Sequence, residues 1–246
     1  MATVIAFDYV FPVIGGDRSN ARPGWTMVRN VFGTAFSLSG NIFLTASHVI
    51  RAAAAHESFG VCLVEDGVWG VRKIIRHEVF DDLNAGLFEA NVPGAKPLRW
   101  SATELSMLDS VATVGFPYAL EITQAKLNVR AFRGEVVSTK IWEGLSAKPR
   151  IYELSFQCPR GLSGAPLWIP GNPPTAVGFI IGNSIMEIVH SEKEESLDSG
   201  KTTIYEKTES LRLGIAIQAQ AILDRRSDIL GTTLREHLHR TSLIAA

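Results

Sequence analysis

The sequence predicts an all-β protein, and three observations carry that reading. Short apolar runs recur along the chain between glycine- and proline-containing turn signals. Gly40-Asn41 falls between the runs Phe36-Ser37-Leu38 and Ile42-Phe43-Leu44, the pattern of a tight hairpin. The hexapeptide Gly161-Leu162-Ser163-Gly164-Ala165-Pro166 is a small-residue turn leading into another apolar run, Leu167-Trp168-Ile169. Its glycines permit backbone angles that residues with a Cβ resist. Such a turn either simply enters a strand, or holds a serine hydroxyl outward while aiming consecutive N–H groups at one point, as acyl transfer requires.

Upstream, Gly33-Thr34-Ala35-Phe36 and Leu44-Thr45-Ala46-Ser47-His48-Val49 bracket the hairpin. This stretch resembles the G-T-G-F … L-T-A-A-H-V segment of trypsin-like (chymotrypsin-fold) serine proteases. The segment around Ser163 resembles their G-D/N-S-G-G-P segment, and histidine before serine is that family's order. The resemblance spans residues 33–224 and is to the intracellular bacterial type. It implies two antiparallel β-barrels packed side by side with a C-terminal helix. Residues 1–246 then form one protease unit, with residues 1–100 as the barrel carrying His48 and residues 101–230 as the barrel carrying Ser163.

Taken in order, residues 1–32 read as irregular, with turns at Gly15-Gly16 and Pro23-Gly24. Residues 33–50 form the hairpin that ends at His48, and residues 51–56 match the family's short helix after the histidine. Val61-Cys62-Leu63-Val64 and Val68-Trp69-Gly70-Val71 read as strands around Glu65-Asp66-Gly67. Residues 91–110, with Pro93-Gly94 and Pro97, read as the crossover between barrels. Val111-Ala112-Thr113-Val114-Gly115-Phe116-Pro117 resembles the strand that opens the second barrel in HtrA-like relatives. Strands follow at residues 132–137, 151–155, 176–183 and 211–217, and residues 187–210 read as a polar loop or long hairpin. Residues 218–230 read as a C-terminal helix with Ala219, Ile222 and Leu223 on one face.

The resemblance assigns Ser163 as nucleophile and His48 as its base, because a serine hydroxyl is weak without one. The N–H groups of Gly161 and Ser163 are the implied oxyanion hole. The third triad member has two candidates. Asn84-Ala85-Gly86-Leu87-Phe88 fits the family's D-I-A-L-L frame, with an amide in the acid's place. Asp82 is the substitute if the loop shifts, and either residue is equally read as capping a turn. The residue at the base of the family's specificity pocket is Gln157, neighboured by Cys158, with Ile181, Gly182 and Asn183 as a wall and Arg160 at the mouth. A neutral amide there implies an uncharged substrate side chain. Leu162 replaces the aspartate that pairs with a freed N-terminus in activated trypsins, so activation by that route is not expected.

A net charge of −1 leaves no electrostatic footprint for nucleic acid or an acidic membrane. No apolar run reaches the length of a membrane span. Residues 1–16 lack a basic start and carry Asp8, so no secretory signal is expected. Cys62 and Cys158 are the only cysteines, where secreted members of the family carry several disulfides; this points to a reducing, cytoplasmic setting. His237 and His239 do not share a helix face, so neither a metal nor any cofactor is expected. The expected function is an intracellular serine endopeptidase of narrow, non-basic specificity. It acts on a protein or peptide substrate and is restrained by that narrowness or by a regulatory protein partner. The alternatives are a pseudoprotease that binds peptides or a partner through an impaired triad, and, more remotely, an esterase.

Overall fold

Period-two alternation sorts the apolar side chains into separate cores. Along one strand, Phe36 and Leu38 join a cluster that also holds Leu44 and Leu87 and, from the second half of the chain, Phe116, Phe179 and Ile217. Ala35, just before Phe36 and facing the other way, joins Phe11, Val13, Phe43, Val61 and Phe88 in a second cluster. A third holds Val111, Val136, Leu154, Leu162, Leu167 and Ile180. Each half therefore has its own apolar cluster, and a third cluster joins the two halves.

The computed structural model describes residues 6–18, 26–65, 68–118, 120–121, 126–171, 173–195 and 202–244. After a short helix α1 (Ala6–Tyr9) come β1 (Val10–Arg18), β2 (Thr26–Ser39), β3 (Ile42–Thr45), helix α2 (Ser47–Ala54), β4 (Ser58–Glu65), β5 (Val68–Phe80) and β6 (Ala85–Ala90). These strands close as an antiparallel barrel in the order β1-β2-β3-β6-β5-β4. The crossover contains β7 (Arg99–Trp100). There follow β8 (Ser110–Gly115), the small ribbon β9 (Leu120–Glu121) and β10 (Lys126–Leu127), then β11 (Arg130–Ile141), β12 (Arg150–Leu154), β13 (Pro166–Ile169), β14 (Thr175–Glu195) and β15 (Thr202–Gln218). β13 pairs with both β8 and β14, so the order β13-β8-β11-β12-β15-β14 returns on itself. The end of the described chain carries α3 (Ala219–Leu223), a ribbon of β16 (Arg226–Ser227) and β17 (Thr232–Thr233), and α4 (Leu234–Arg240).

Three expectations need correction. Residues 10–18 and 26–32 are strand, not irregular. Register shifts between Val13 and Ile14 and between Gly15 and Gly16 accommodate the glycine pair inside β1. Pro23-Gly24 and Asp66-Gly67 lie outside the described residues. The C-terminal helix stops at Leu223; Arg226-Ser227 then pairs with Thr232-Thr233, and a second helix starts at Leu234 with Thr233 as its N-cap. Thr233 and Glu236 form a reciprocal capping box, which satisfies otherwise orphaned first-turn N–H groups. The helix expected at residues 51–56 instead runs over Ser47–Ala54 and takes in His48. The polar stretch 187–210 follows the long-hairpin alternative, as part of β14–β15, residues 196–201 lying outside the described set.

Candidate active site

His48 sits in the first turn of α2, just after the Ala46 N-cap, and is exposed. Ala46 offers no side-chain cap to the helix. Asn84 supplies one from just before β6, the strand paired with β3. Its backbone carbonyl accepts from Ser47 N–H at 3.1 Å, and its Oδ1 accepts from His48 N–H at 3.3 Å. Oδ1 also accepts from Ser47 Oγ at 3.2 Å and lies 2.9 Å from His48 Nδ1. A backbone N–H can only donate, so the amide atom facing His48 must be the oxygen. The same oxygen then requires the proton on Nδ1, which leaves Nε2 as an acceptor. Asn84 closes the 3-10 turn Asp81–Leu83 in the left-handed conformation, at φ 49°, which asparagine tolerates better than most residues.

Asp82 is not brought to His48. Its carboxylate is engaged by Arg225, and its carbonyl accepts from Ala147 N–H at 3.2 Å. Asp81 is gripped by Arg51 on α2, whose hydrogen bond holds its carboxyl below the ordinary carboxylate range. The alternative register for the third member therefore gives way to an ion pair with a residue 143 positions downstream. A cavity of about 540 Å³ lies beyond Asp82, lined by Leu83, Tyr152, Arg150 and Arg225 among others, and by none of the candidate catalytic residues.

Ser163 lies in the loop between β12 and β13, where Gly161 has φ 98° and Gly164 φ 84°. The loop is pressed against the first barrel. A Cβ on Gly164 would stand 2.1 Å from Thr34 O, 2.1 Å from Thr45 Oγ1 and 2.9 Å from Ala46 N. A Cβ on Gly33 would stand 2.5 Å from Val49 Cγ2 and 2.7 Å from Ser163 O. Ser163 is thus held next to the helix turn that carries His48. Its carbonyl accepts from Thr34 N–H at 2.8 Å, and its hydroxyl donates to Ile181 O at 3.4 Å. No hydrogen bond joins Ser163 to His48 among the described residues; in unliganded sites such bonds are often long and tighten with substrate.

Around the serine, the N–H groups of Leu162, Gly164 and Ala165 have backbone acceptors. Those of Gly161 and Ser163 have none among the described residues. The Arg160 carbonyl accepts from Tyr118 N–H at 3.1 Å. A trans peptide holds C=O and N–H on opposite sides, so the Gly161 N–H faces away from Tyr118. Leu162 is fully buried among Ala165, Leu167 and Ile180, while Ile14 pairs within β1 and β2.

At the implied specificity pocket, Gln157 and Arg160 are exposed. Cys158 is the buried residue, and burial pushes its thiol up to about 12, which removes it as a nucleophile. Ile181, Gly182 and Asn183 do run beside Ser163, and the Asn183 amide binds both backbone groups of Cys158. Sequence reasoning missed Thr34, whose hydroxyl accepts from Phe116 N–H and donates to Gly161 O. Its only sequence signal was its place between Gly33 and the hairpin. Ser47 and Arg225 were missed as well. Among the described residues no cluster of three or more His, Cys, Asp or Glu is placed to hold a metal, and no helix is long and apolar enough to cross a membrane.

No family model matches the sequence, and no curated protein matches it either. Solved structures do. The Rv3671c protease of M. tuberculosis in its active form superposes with a TM-score of 0.56 at 15% identity, covering 88% of this chain and 78% of that one. The HtrA-type protease AlgW with a decapeptide gives 0.58 at 15% identity, covering 87% of this chain and 61% of that one. The MamO protease domain of Magnetospirillum magneticum gives 0.53 at 14% identity, covering 90% and 97%. The two-barrel architecture is therefore the fold of trypsin-like, HtrA-type proteases.

Proposed function

We propose that the protein is a serine endopeptidase that works through Ser163, His48 and Asn84. The observation that carries this reading is the Asn84 oxygen, which His48 N–H obliges to face the imidazole. In this mechanism Nε2 takes the Ser163 proton as the hydroxyl attacks a peptide carbonyl. Asn84 Oδ1 keeps the Nδ1 proton and the ring orientation. The Gly161 and Ser163 N–H groups receive the oxyanion. His48 then protonates the leaving amine, and water releases the acyl group by the reverse sequence. The AlgW structure holds a bound decapeptide, in keeping with a peptide substrate for this fold. Cys62 and Cys158 are both free and buried, and fall in different core clusters, which supports a role in a reducing compartment. The exposed Gln157 offers no charge to attract lysine or arginine, in keeping with non-basic specificity.

The test is a fluorophosphonate label together with turnover of a peptide library. Wild type is expected to label at Ser163 and to cleave; Ser163→Ala is expected to do neither. An unlabelled wild type that still binds peptides would replace this reading with a pseudoprotease.

A further inference from the structure

Two backbone segments flank Ser163. Residues 157–160 lead into its loop, and residues 181–183 pass beside it, with Ile181 O at 3.4 Å from the serine hydroxyl. A side chain next to an attacked carbonyl has to enter between them. In this chain they are laced together. Asn183 Oδ1 accepts from Cys158 N–H at 2.7 Å, and Asn183 Nδ2 donates to Cys158 O at 2.8 Å. The amide thus takes both hydrogen-bonding groups of one residue across the gap, a two-point grip that fixes the side chain's direction.

The space beneath is filled too. Asn183 pairs across the β14–β15 ladder with Gly214. A Cβ on Gly214 would stand 2.6 Å from Cys158 Sγ and 2.6 Å from Phe156 O, so the thiol is packed against that glycine's backbone. Cys158 is only 4% exposed, whereas Asn183 is exposed at the mouth. The gap therefore has a polar bridge at its entrance and a sulfur atom at its base.

We propose that Asn183 makes the site selective for a small residue, glycine, alanine or serine, on the N-terminal side of the bond that Ser163 attacks. This rests on the peptidase reading of the same site. A small side chain leaves the bridge in place. A large one has to displace the amide and strip the Cys158 N–H and C=O of their partner, and a carbon side chain returns nothing to them.

The test reads the pocket without needing turnover. Fluorescently labelled hexapeptides differing only in their C-terminal residue, alanine, phenylalanine or lysine, are titrated against Ser163→Ala and followed by anisotropy. The alanine peptide is expected to bind at least about tenfold tighter than the phenylalanine one. Adding Asn183→Gly, or Asn183→Ala as a second variant, is expected to abolish most of that ratio by improving phenylalanine. Equal binding of alanine and phenylalanine with Asn183 intact overturns the proposal. So does an unchanged ratio in folded Asn183 variants, or no binding of any peptide. If wild type cleaves nothing while Ser163→Ala still selects alanine, the peptidase reading falls and the pocket assignment stands.

Discussion

The Thr34 hydroxyl donates a 2.9 Å hydrogen bond to the carbonyl oxygen of Gly161, from one barrel to the loop of the other. The Thr34 hydroxyl oxygen itself accepts from Phe116 N–H at 3.0 Å, and Thr34 N–H donates to Ser163 O at 2.8 Å. One buried residue thus orients both ends of the loop whose N–H groups are to meet the oxyanion. Thr34→Val keeps the shape and leaves the buried Gly161 carbonyl without its donor, at a cost of about 1–3 kcal/mol in stability. Turnover is expected to fall by roughly ten- to a hundredfold through misplacement of the loop, with KM little changed. Thr34→Ser is expected to recover most of the loss. Denaturant unfolding and peptide kinetics on both variants check this.

Asn84→Asp is expected to raise kcat. The amide already fixes the histidine tautomer; a carboxylate adds a charge that stabilises the imidazolium formed during attack. In a trypsin-like triad the acid-to-amide change costs about 10⁴ in turnover, largely through the wrong tautomer. Because the tautomer here is already productive, the gain is expected to be smaller, roughly ten- to a hundredfold. Asp82→Ala is expected to leave kcat within about twofold and to lower the unfolding midpoint slightly, since its carboxylate serves the half-exposed Arg225. Loss of cleavage in Asp82→Ala would overturn the assignment of Asn84.

Gly164→Ala and Gly40→Ala form a matched pair. Both glycines have positive φ, 84° and 51°. Nothing lies within 4 Å of a Cβ at Gly40, whereas one at Gly164 would run into Thr34 O and Thr45 Oγ1. The Gly40 change is expected to cost about 1 kcal/mol from backbone strain alone. The Gly164 change is expected to cost at least about 3 kcal/mol and to abolish Ser163 labelling. Thermal unfolding and fluorophosphonate labelling separate the two effects.

Cys62 and Cys158 should resist thiol reagents at pH 8 in the folded state and react fully in denaturant. Burial pushes both thiols up to about 12 from an ordinary 9.0. The folded state therefore holds these protons more tightly than the unfolded chain. Their contribution to stability is intact below the ordinary thiol range and is lost as pH rises from about 9 toward 12. Denaturant midpoints at pH 8 and pH 10.5 are expected to fall with pH, and to fall less in a Cys62→Ala variant.

What the sequence disclosed followed from local pattern. Gly40-Asn41 between apolar runs announced the β2–β3 hairpin, whereas the helix read at residues 51–56 begins at Ser47 and carries His48 in its first turn. The glycines around Ser163 announced a loop with positive φ at Gly161 and Gly164. What stayed hidden depended on distant partners. Asp82 and Asn84 are near-equivalent as text, and only Arg225, far along the chain, separates their roles. Gly15-Gly16 reads as a turn, yet the β1 ladder runs through it because β2 and β4 flank it on both sides. Position alone does not tell the exposed Gln157 from the neighbouring Cys158, which β14 and β15 cover through Asn183 and Gly214.

The grip of Thr34 on Gly161 spans 127 positions of sequence. On a ribosome the first barrel has all its strands once residue 90 is out, long before Ser163 exists. The second barrel has to wait for β15, which ends at Gln218, because that strand pairs with both β12 and β14. Through most of synthesis, then, a finished base faces no nucleophile, and a new nucleophile sits in a loop nothing yet holds. The growing chain therefore holds no complete pairing of Ser163 with His48 until the two halves of the site have met.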